Sequence, residues 1–185
     1  MTNISKETLY VCTEEGASDG LKSAVQVVSD RLDLGITVGS ASYFKNISGR
    51  KIAFELVPST YGSEFEKIIC VVVQAKKGGS FVDALFYRGT ELPSPANTPI
   101  AAVEITKNGL KDSGNMTDQR ASKFAPLIFK TPSLPCFYLI HSEKKISLSE
   151  ARARPPHRRA FDRLLIAGVT PVFTSDLSQK PVYYA

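Results

Sequence analysis

The sequence predicts an α/β fold with a central mixed β-sheet flanked by helices. Short runs rich in β-branched and aromatic residues alternate with segments whose apolar residues recur at helical spacing. Turn-forming Gly, Pro, Asn and Ser clusters separate these segments. No internal repeat, low-complexity tract or Pro/Ser-rich linker interrupts the 185 residues, so the chain reads as one domain over 1–185.

The first element read is a helix over "SDGLKSAVQVVSDRLDL" (18–34), with Ser18 or Asp19 as its cap and Leu21, Ala24, Val25, Val28 and Leu32 on one face. Strands follow at "GITVGSASYF" (35–44) and "KIAFELV" (51–57), joined by the turn-rich "KNISGR". In "GSEFEKIICVVVQAKKGG" (62–79), Phe65, Ile68, Ile69, Val72 and Val73 repeat at helical spacing. Ser63 can cap the start and Gly78-Gly79 the end, so a buried helix is expected despite the β-branched content. "FVDALFYRG" (81–89) and "PIAAVEITKNG" (99–109) read as strands joined by the Pro-rich "TELPSPANTP". "DSGNMTDQRASKFAPLIF" (112–129) reads as a loop and a helix, capped near Asn115 or Thr117 and disturbed by Pro126. "PCFYLIHS" (135–142) is an apolar strand. A basic loop then leads to the helix "RRAFDRLLIAG", stopped by Gly168, and to the short strand "VTPVF".

Hydrophobic residues at 43% and charged residues at 22% are the values of an ordinary globular chain rather than a disordered one. No apolar run is long enough to span a bilayer, and the N-terminal stretch lacks the basic-then-apolar pattern of a signal peptide. Cys12, Cys70 and Cys136 are odd in number and far apart within apolar strings. They read as reduced core thiols of a cytoplasmic protein, with neither a disulfide framework nor a zinc site. On that reading the Asn-x-Ser/Thr triplets at Asn3, Asn46 and Asn115 carry no sugar. The net charge of +5 gives a moderate bias toward a polyanionic partner.

Function is argued from the two strands at 81–109. Ile100, Ala101, Ala102 and Val103 form a buried run that ends in Glu104, Thr106 and Lys107. Burying such charges costs several kcal/mol unless each has a partner. If this strand pairs with the one bearing Asp83, both carboxylates meet at one edge of the sheet. Their mutual repulsion then raises their pKa values unless a cation lies between them. The competing reading is a structural ion pair with Lys107 or Arg88. Hard oxygen ligands suit Mg²⁺, and a neighbouring lysine suits an attacking hydroxide or a phosphate. There is no Ser-His-Asp order, P-loop or dinucleotide fingerprint, and His141 reads as a satisfied strand tip.

"FVDALFYRG" followed by "IAAVEITKN" resembles the PD-(D/E)XK nuclease superfamily, the restriction-endonuclease-like fold. Its signature is an acid on one strand, then an acid, a spacer and a lysine on the next. "DQRASKF" is similar to the Gln- and Arg-bearing helix that often flanks this site in type II restriction enzymes. The resemblance covers roughly residues 60–175, a helix–strand–strand–helix–strand portion, and leaves 1–58 as elaboration. It implies that Asp83 and Glu104 hold the metal and that a glutamate of the preceding helix, Glu64 or Glu66, assists. Val82 stands where the family usually has proline. Glu104 and Lys107 are separated by two residues rather than one, so on a regular strand Thr106, not Lys107, shares the face of Glu104. Either the strand bulges or ends near Thr106 and re-aims Lys107, which is the expectation, or Thr106 replaces the lysine.

Gln119, Arg120 and Lys123 follow the site and are expected at DNA, as are Arg152, Arg154, Arg158 and Arg159 of "ARARPPHRR", with His157 among them. The resulting expectation is a Mg²⁺-dependent endonuclease in which Mn²⁺ can substitute. It would be a homodimeric type II restriction enzyme cutting double-stranded DNA at a specific site. A repair, recombination or mobile-element nuclease of the same fold is the alternative enzyme. A non-catalytic DNA-binding protein is the alternative of another class.

Overall fold

The stretch Glu7–Thr13 (β1) is buried on both faces, which gives it no alternation of polar and apolar residues to announce it. It is nevertheless an interior strand of the fold, and it was not anticipated as an element. The computed structural model describes residues 7–13, 18–42, 52–58, 65–73, 82–106, 119–141 and 147–174; at 18–19, 39–42, 52–58 and 155–156 only the backbone is described. Helix α1 spans Ser18–Leu32, followed by β2 (Val38–Ser42), β3 (Ile52–Pro58), β4 (Phe65–Val72), β5 (Ala84–Gly89) and β6 (Ala101–Thr106). A helical turn at 119–122 precedes α2 (Ala125–Lys130). Then come β7 (Cys136–His141), α3 (Leu148–Ala153), α4 (Pro155–Ile166) and β8 (Val169–Thr174).

The eight strands form one mixed sheet in the order β2-β3-β4-β1-β5-β6-β7-β8. β1 runs parallel to β4 and antiparallel to β5, β5 is antiparallel to β6, and β6, β7 and β8 are mutually parallel. On one face α1 packs Leu21, Ala24, Val25 and Val28 against Leu9, Val11, Phe86, Val103 and Ile105. On the other face Phe124 and the side chains of α3 and α4 cover Ala102, Tyr138, Ile140 and Phe173. The α/β class with a mixed sheet is therefore as the sequence predicts, and Cys12, Cys70 and Cys136 are all buried thiols outside any disulfide.

The expected buried helix over 62–79 is corrected: its described part is strand β4, and Ser63, Glu64 and Gly78-Gly79 lie outside the described residues. Ile68, Ile69, Cys70 and Val71 are all buried, because β4 has β3 on one side and β1 on the other and both of its faces are covered. A helix cannot bury four consecutive side chains equally against one layer. In an unbroken apolar run the i, i+3, i+4 spacing is satisfied automatically and discriminates nothing. The basic loop at 151–159 is also corrected. Ser147 accepts from the Glu150 backbone N–H at 3.2 Å while the Glu150 carboxylate accepts from the Ser147 N–H at 2.6 Å. This capping box starts α3, and Pro155-Pro156 opens α4. Gly168, at φ +76°, ends α4 as anticipated. Residues 123–124 separate the 119–122 turn from α2, and Pro126 sits in the first turn of α2; the caps expected at Asn115 or Thr117, the 45–50 turn and the Asn3, Asn46 and Asn115 triplets lie outside the described residues.

Gly20 sets how closely α1 approaches β6. A Cβ there would stand 2.8 Å from Cγ2 of Ile105, and that branch carbon cannot swing away without moving the whole side chain. Gly20→Ala is expected to destabilise the protein by about 1 kcal/mol in a denaturant titration, because overpacking outweighs the helix-propensity gain in a first turn.

Candidate functional site

The register of β5 and β6 places the two acids. Ala84 pairs with Val103, Leu85 with Ala102 and Phe86 with Ala101, so the next rung sets Asp83 opposite Glu104. Alternation along β6 turns Val103 and Ile105 toward α1 and leaves Ala102, Glu104 and Thr106 on the opposite face. Regular pairing stops at this rung, and the side chains replace it. The Asp83 backbone N–H donates to Glu104 Oε2 at 3.2 Å, and the Ile105 N–H donates to Asp83 Oδ2 at 2.7 Å. Each carboxylate thus holds the other strand's backbone.

The remaining oxygens meet two cations from the 119–124 segment. Lys123 Nζ lies 2.8 Å from Glu104 Oε1 and 3.9 Å from Asp83 Oδ1. Arg120 Nη1 lies 3.3 Å from Glu104 Oε1 and 3.2 Å from the Ile105 carbonyl oxygen. The Glu104 side chain is fully buried, whereas Asp83, Arg120 and Lys123 retain 17%, 26% and 26% exposure, so solvent reaches the cluster from one side. Burial pushes the Glu104 carboxyl up to about 7, the Asp83 charge adds to that rise, and Lys123 and Arg120 oppose it.

The structure thus brings Asp83 and Glu104 together and adds Arg120 and Lys123, which the sequence reading assigned to DNA. Their signal was helical spacing: residues three apart share a face, and both point back to the sheet. Thr106 is buried on the Glu104 side of β6. Pairing of β6 with β7 is regular from Ala102 through Thr106, the last residue of β6; the step to Lys107, on which the expected re-aiming depends, lies outside the described residues. Glu66 is not part of the cluster. It sits in β4 next to Phe65, which pairs with Glu7, whereas Asp83 follows the rung where Thr13 meets Ala84. Some six rungs, about 20 Å, separate them. Glu66 pairs instead with Lys67 at 3.3 Å. Arg88 is at that far edge too, bound to Glu7 and lying over the Phe65 ring.

Gln119 is exposed beside the site. Arg152 pairs with Asp162 at 2.6 Å, and Arg158 lies 4.0 Å from the same residue. Arg154 and Arg159 are exposed, while His157 is buried against Phe161. Because α4 leads into β8 at its Val169 end, its arginine-bearing N-terminus lies toward the edge that carries Glu104. His141, expected to be satisfied, buries a Nδ1 with no hydrogen-bond partner among the described residues. No cluster of three or more His, Cys, Asp or Glu able to hold a metal occurs among the described residues. No helix among them is long and apolar enough to cross a membrane. No protein-family model, curated protein or solved structure matches the chain.

Glu104 is expected to titrate near 7 in carboxyl-carbon NMR. Lys123→Gln should raise that midpoint and Asp83→Asn should lower it. Because folding lifts the Glu104 pKa above its ordinary 4.5, the native state holds this proton more tightly than the unfolded chain. This contribution to stability is full below about 4.5 and is lost as pH rises through about 7. A Glu104→Gln variant that retains the same slope in that window would refute the assignment.

Proposed function

We propose that this chain is a metal-dependent endonuclease of the PD-(D/E)XK kind, acting on double-stranded DNA. The observation that supports it is a carboxylate pair on one rung of a sheet, Glu104 fully buried and Asp83 partly exposed, at the carboxyl end of β6, with an ammonium near both acids. The donor types suit a hard divalent ion: Glu104 Oε1 and the Ile105 carbonyl meet at Arg120 Nη1, and Asp83 Oδ1 lies 3.9 Å from the Lys123 ammonium that binds the same Glu104 oxygen. Asp83, Glu104 and the Ile105 carbonyl would hold Mg²⁺ or Mn²⁺. When bound, the ion supplies positive charge at the phosphate and lowers the pKa of a coordinated water.

The chain's own side chains do the rest. Asp83 and Glu104 keep their orientation because each is tied to backbone N–H groups, so little reordering precedes reaction. Lys123 takes the part that the family's strand lysine plays. Its ammonium orients the water that attacks phosphorus and stabilises charge on the phosphate oxygens as the P–O bond to the leaving group breaks. Arg154, Arg158 and Arg159, toward the same edge, meet the DNA backbone, and Gln119 is placed to follow them. A type II restriction enzyme acting as a homodimer is the finer form of this reading. A repair, recombination or mobile-element nuclease is its alternative.

A non-catalytic DNA-binding protein is favoured by one observation: two carboxylates facing one lysine and one arginine balance in charge, as a structural cluster would. A plasmid digest with and without Mg²⁺ separates the readings. Discrete fragments support the restriction enzyme and smears the repair nuclease. Intact DNA with a mobility shift supports the binder.

Asp83→Ala and Glu104→Ala are expected to abolish Mg²⁺-dependent cleavage while DNA binding survives. Lys123→Ala should lower cleavage by about a hundredfold or more with metal binding kept, and Thr106→Ala should matter much less. If Lys123→Ala cuts normally and Lys107→Ala does not, the lysine is misassigned. Charge reversal at Arg158 and Arg159 should weaken binding to all sequences alike and reduce the salt slope by about two. An unchanged slope returns these residues to a solvated helix face.

A further inference from the structure

We propose that Phe124 is a positioning residue: its buried ring fixes where the 119–124 segment lies on the sheet, and so where Lys123 meets the two acids. The placement stands on geometry alone, whereas its consequence for cleavage rests on the nuclease reading above. Phe124 is 1% exposed, and from 119 to 130 no other side chain is buried. Ala121, Leu127 and Ile128 are only partly covered by the same layer. Phe124 belongs to one apolar cluster with Val82, Ala102 and Tyr138. Val82 precedes Asp83, Ala102 shares the face of Glu104 two residues earlier, and Tyr138 pairs with Glu104 across β6 and β7. The ring is thus packed into the layer that holds the acids.

The backbone carries this anchorage to the cations. The Lys123 N–H donates to the Arg120 carbonyl at 3.2 Å, and the Phe124 N–H donates to the Ala121 carbonyl at 3.2 Å. On the other side the Phe124 carbonyl accepts from the Ile128 N–H at 2.9 Å. Phe124 has helical dihedrals (φ −76°, ψ −23°), and consecutive side chains in such geometry diverge by about 100°. The ring of Phe124 therefore enters the core while Lys123 turns to the cluster, 2.8 Å from Glu104 and 3.9 Å from Asp83.

The residue type conflicts with its helical position. Phe124 is the N-cap of α2, where Ser, Thr, Asp or Asn would accept a backbone N–H, and it makes no side-chain cap. α2 is six residues long and buries none of them, so it does little to hold the segment. An aromatic ring at an uncapped helix start is explained by the core position it fills. Lysine loses much rotamer freedom when its ammonium is held at one point. Fixing the backbone one residue away leaves only the side chain of Lys123 to be ordered.

The test is brief labelling of the full chain with an amine-reactive ester, read at Lys123 by mass spectrometry against the exposed Lys130. Labelling of Lys123 is expected to rise from wild type to Phe124→Leu to Phe124→Ala. In the last it should rise about tenfold or more, the worth of one lost charge-assisted bond. Lys130 should not change. Phe161→Leu trims another fully buried ring of the same cluster and is the control: it should lower the melting temperature and leave Lys123 protected. Equal labelling of Lys123 in wild type and folded Phe124→Ala, or an equal rise in Phe161→Leu, overturns the proposal. If Phe124→Ala does not fold, Phe124→Leu decides, and unchanged labelling there refutes it. In the Mg²⁺ digest, Phe124→Ala should cut about tenfold or more slowly at saturating DNA, with KM little changed. Normal turnover with Lys123 exposed to label overturns the catalytic consequence. A labelling shift in a protein that never cuts DNA supports the anchor and overturns the nuclease reading instead.

Discussion

The reciprocal clasp between β5 and β6 is the constraint on which the edge of this molecule depends. Two strands that stop pairing within a protein leave backbone donors that must find acceptors, since a buried unsatisfied N–H costs about as much as a lost hydrogen bond. Here the acceptors are the Asp83 and Glu104 carboxylates, each reaching across to the opposite strand. This arrangement orients two acids with the stiffness of backbone, and it forces like charges together where one is fully buried. Everything else at the edge answers that repulsion. Lys123 and Arg120 are drawn in, and the Glu104 carboxyl still remains well above its ordinary range.

The sheet makes the clasp affordable. Val103 and Ile105 lie under α1, with Gly20 allowing the close approach, while Ala102 and Tyr138 are sealed by the opposite layer. β6 is thus held on both faces and on both sides before its charged residue is reached. Glu104 is fixed by packing around its neighbours rather than by its own contacts alone. Such rigid support is what a site for charge chemistry requires, because donors that must reorganise during reaction lose much of their effect.

Among the described residues the charges of Asp83, Glu104, Arg120 and Lys123 cancel when all four are ionised, and that balance has two physical meanings. In a binding module it is an endpoint: a satisfied ion cluster that closes the end of a sheet. In the nuclease proposed above it would be the state of the carboxylates before a metal ion binds. Glu104 Oε1 is common to both cations: it meets Arg120 together with the Ile105 carbonyl, and Lys123 together with the more distant Asp83 Oδ1.

Much of the fold and the core of the site were legible in the chain. Helices α1 and α4, Gly168 as the stop, and strands β5 to β8 follow from spacing and turn chemistry. Asp83 and Glu104 stood out because charges interrupt apolar strands. The Ser147–Glu150 capping box is equally legible in the chain, where the run of basic residues suggests a loop. What periodicity could not distinguish was any segment buried on both faces. β1 carries no alternation, and the apolar run of β4 matches helix and strand templates alike, so only their neighbours in the sheet decide their form. The sequence by itself determined which residues carry charge into the core. Which charges meet was decided by tertiary structure, because the rung that sets Asp83 against Glu104, the 20 Å or so that remove Glu66, and the helical turn that delivers Arg120 and Lys123 are all matters of register and crossover. Separation along a chain does not encode them.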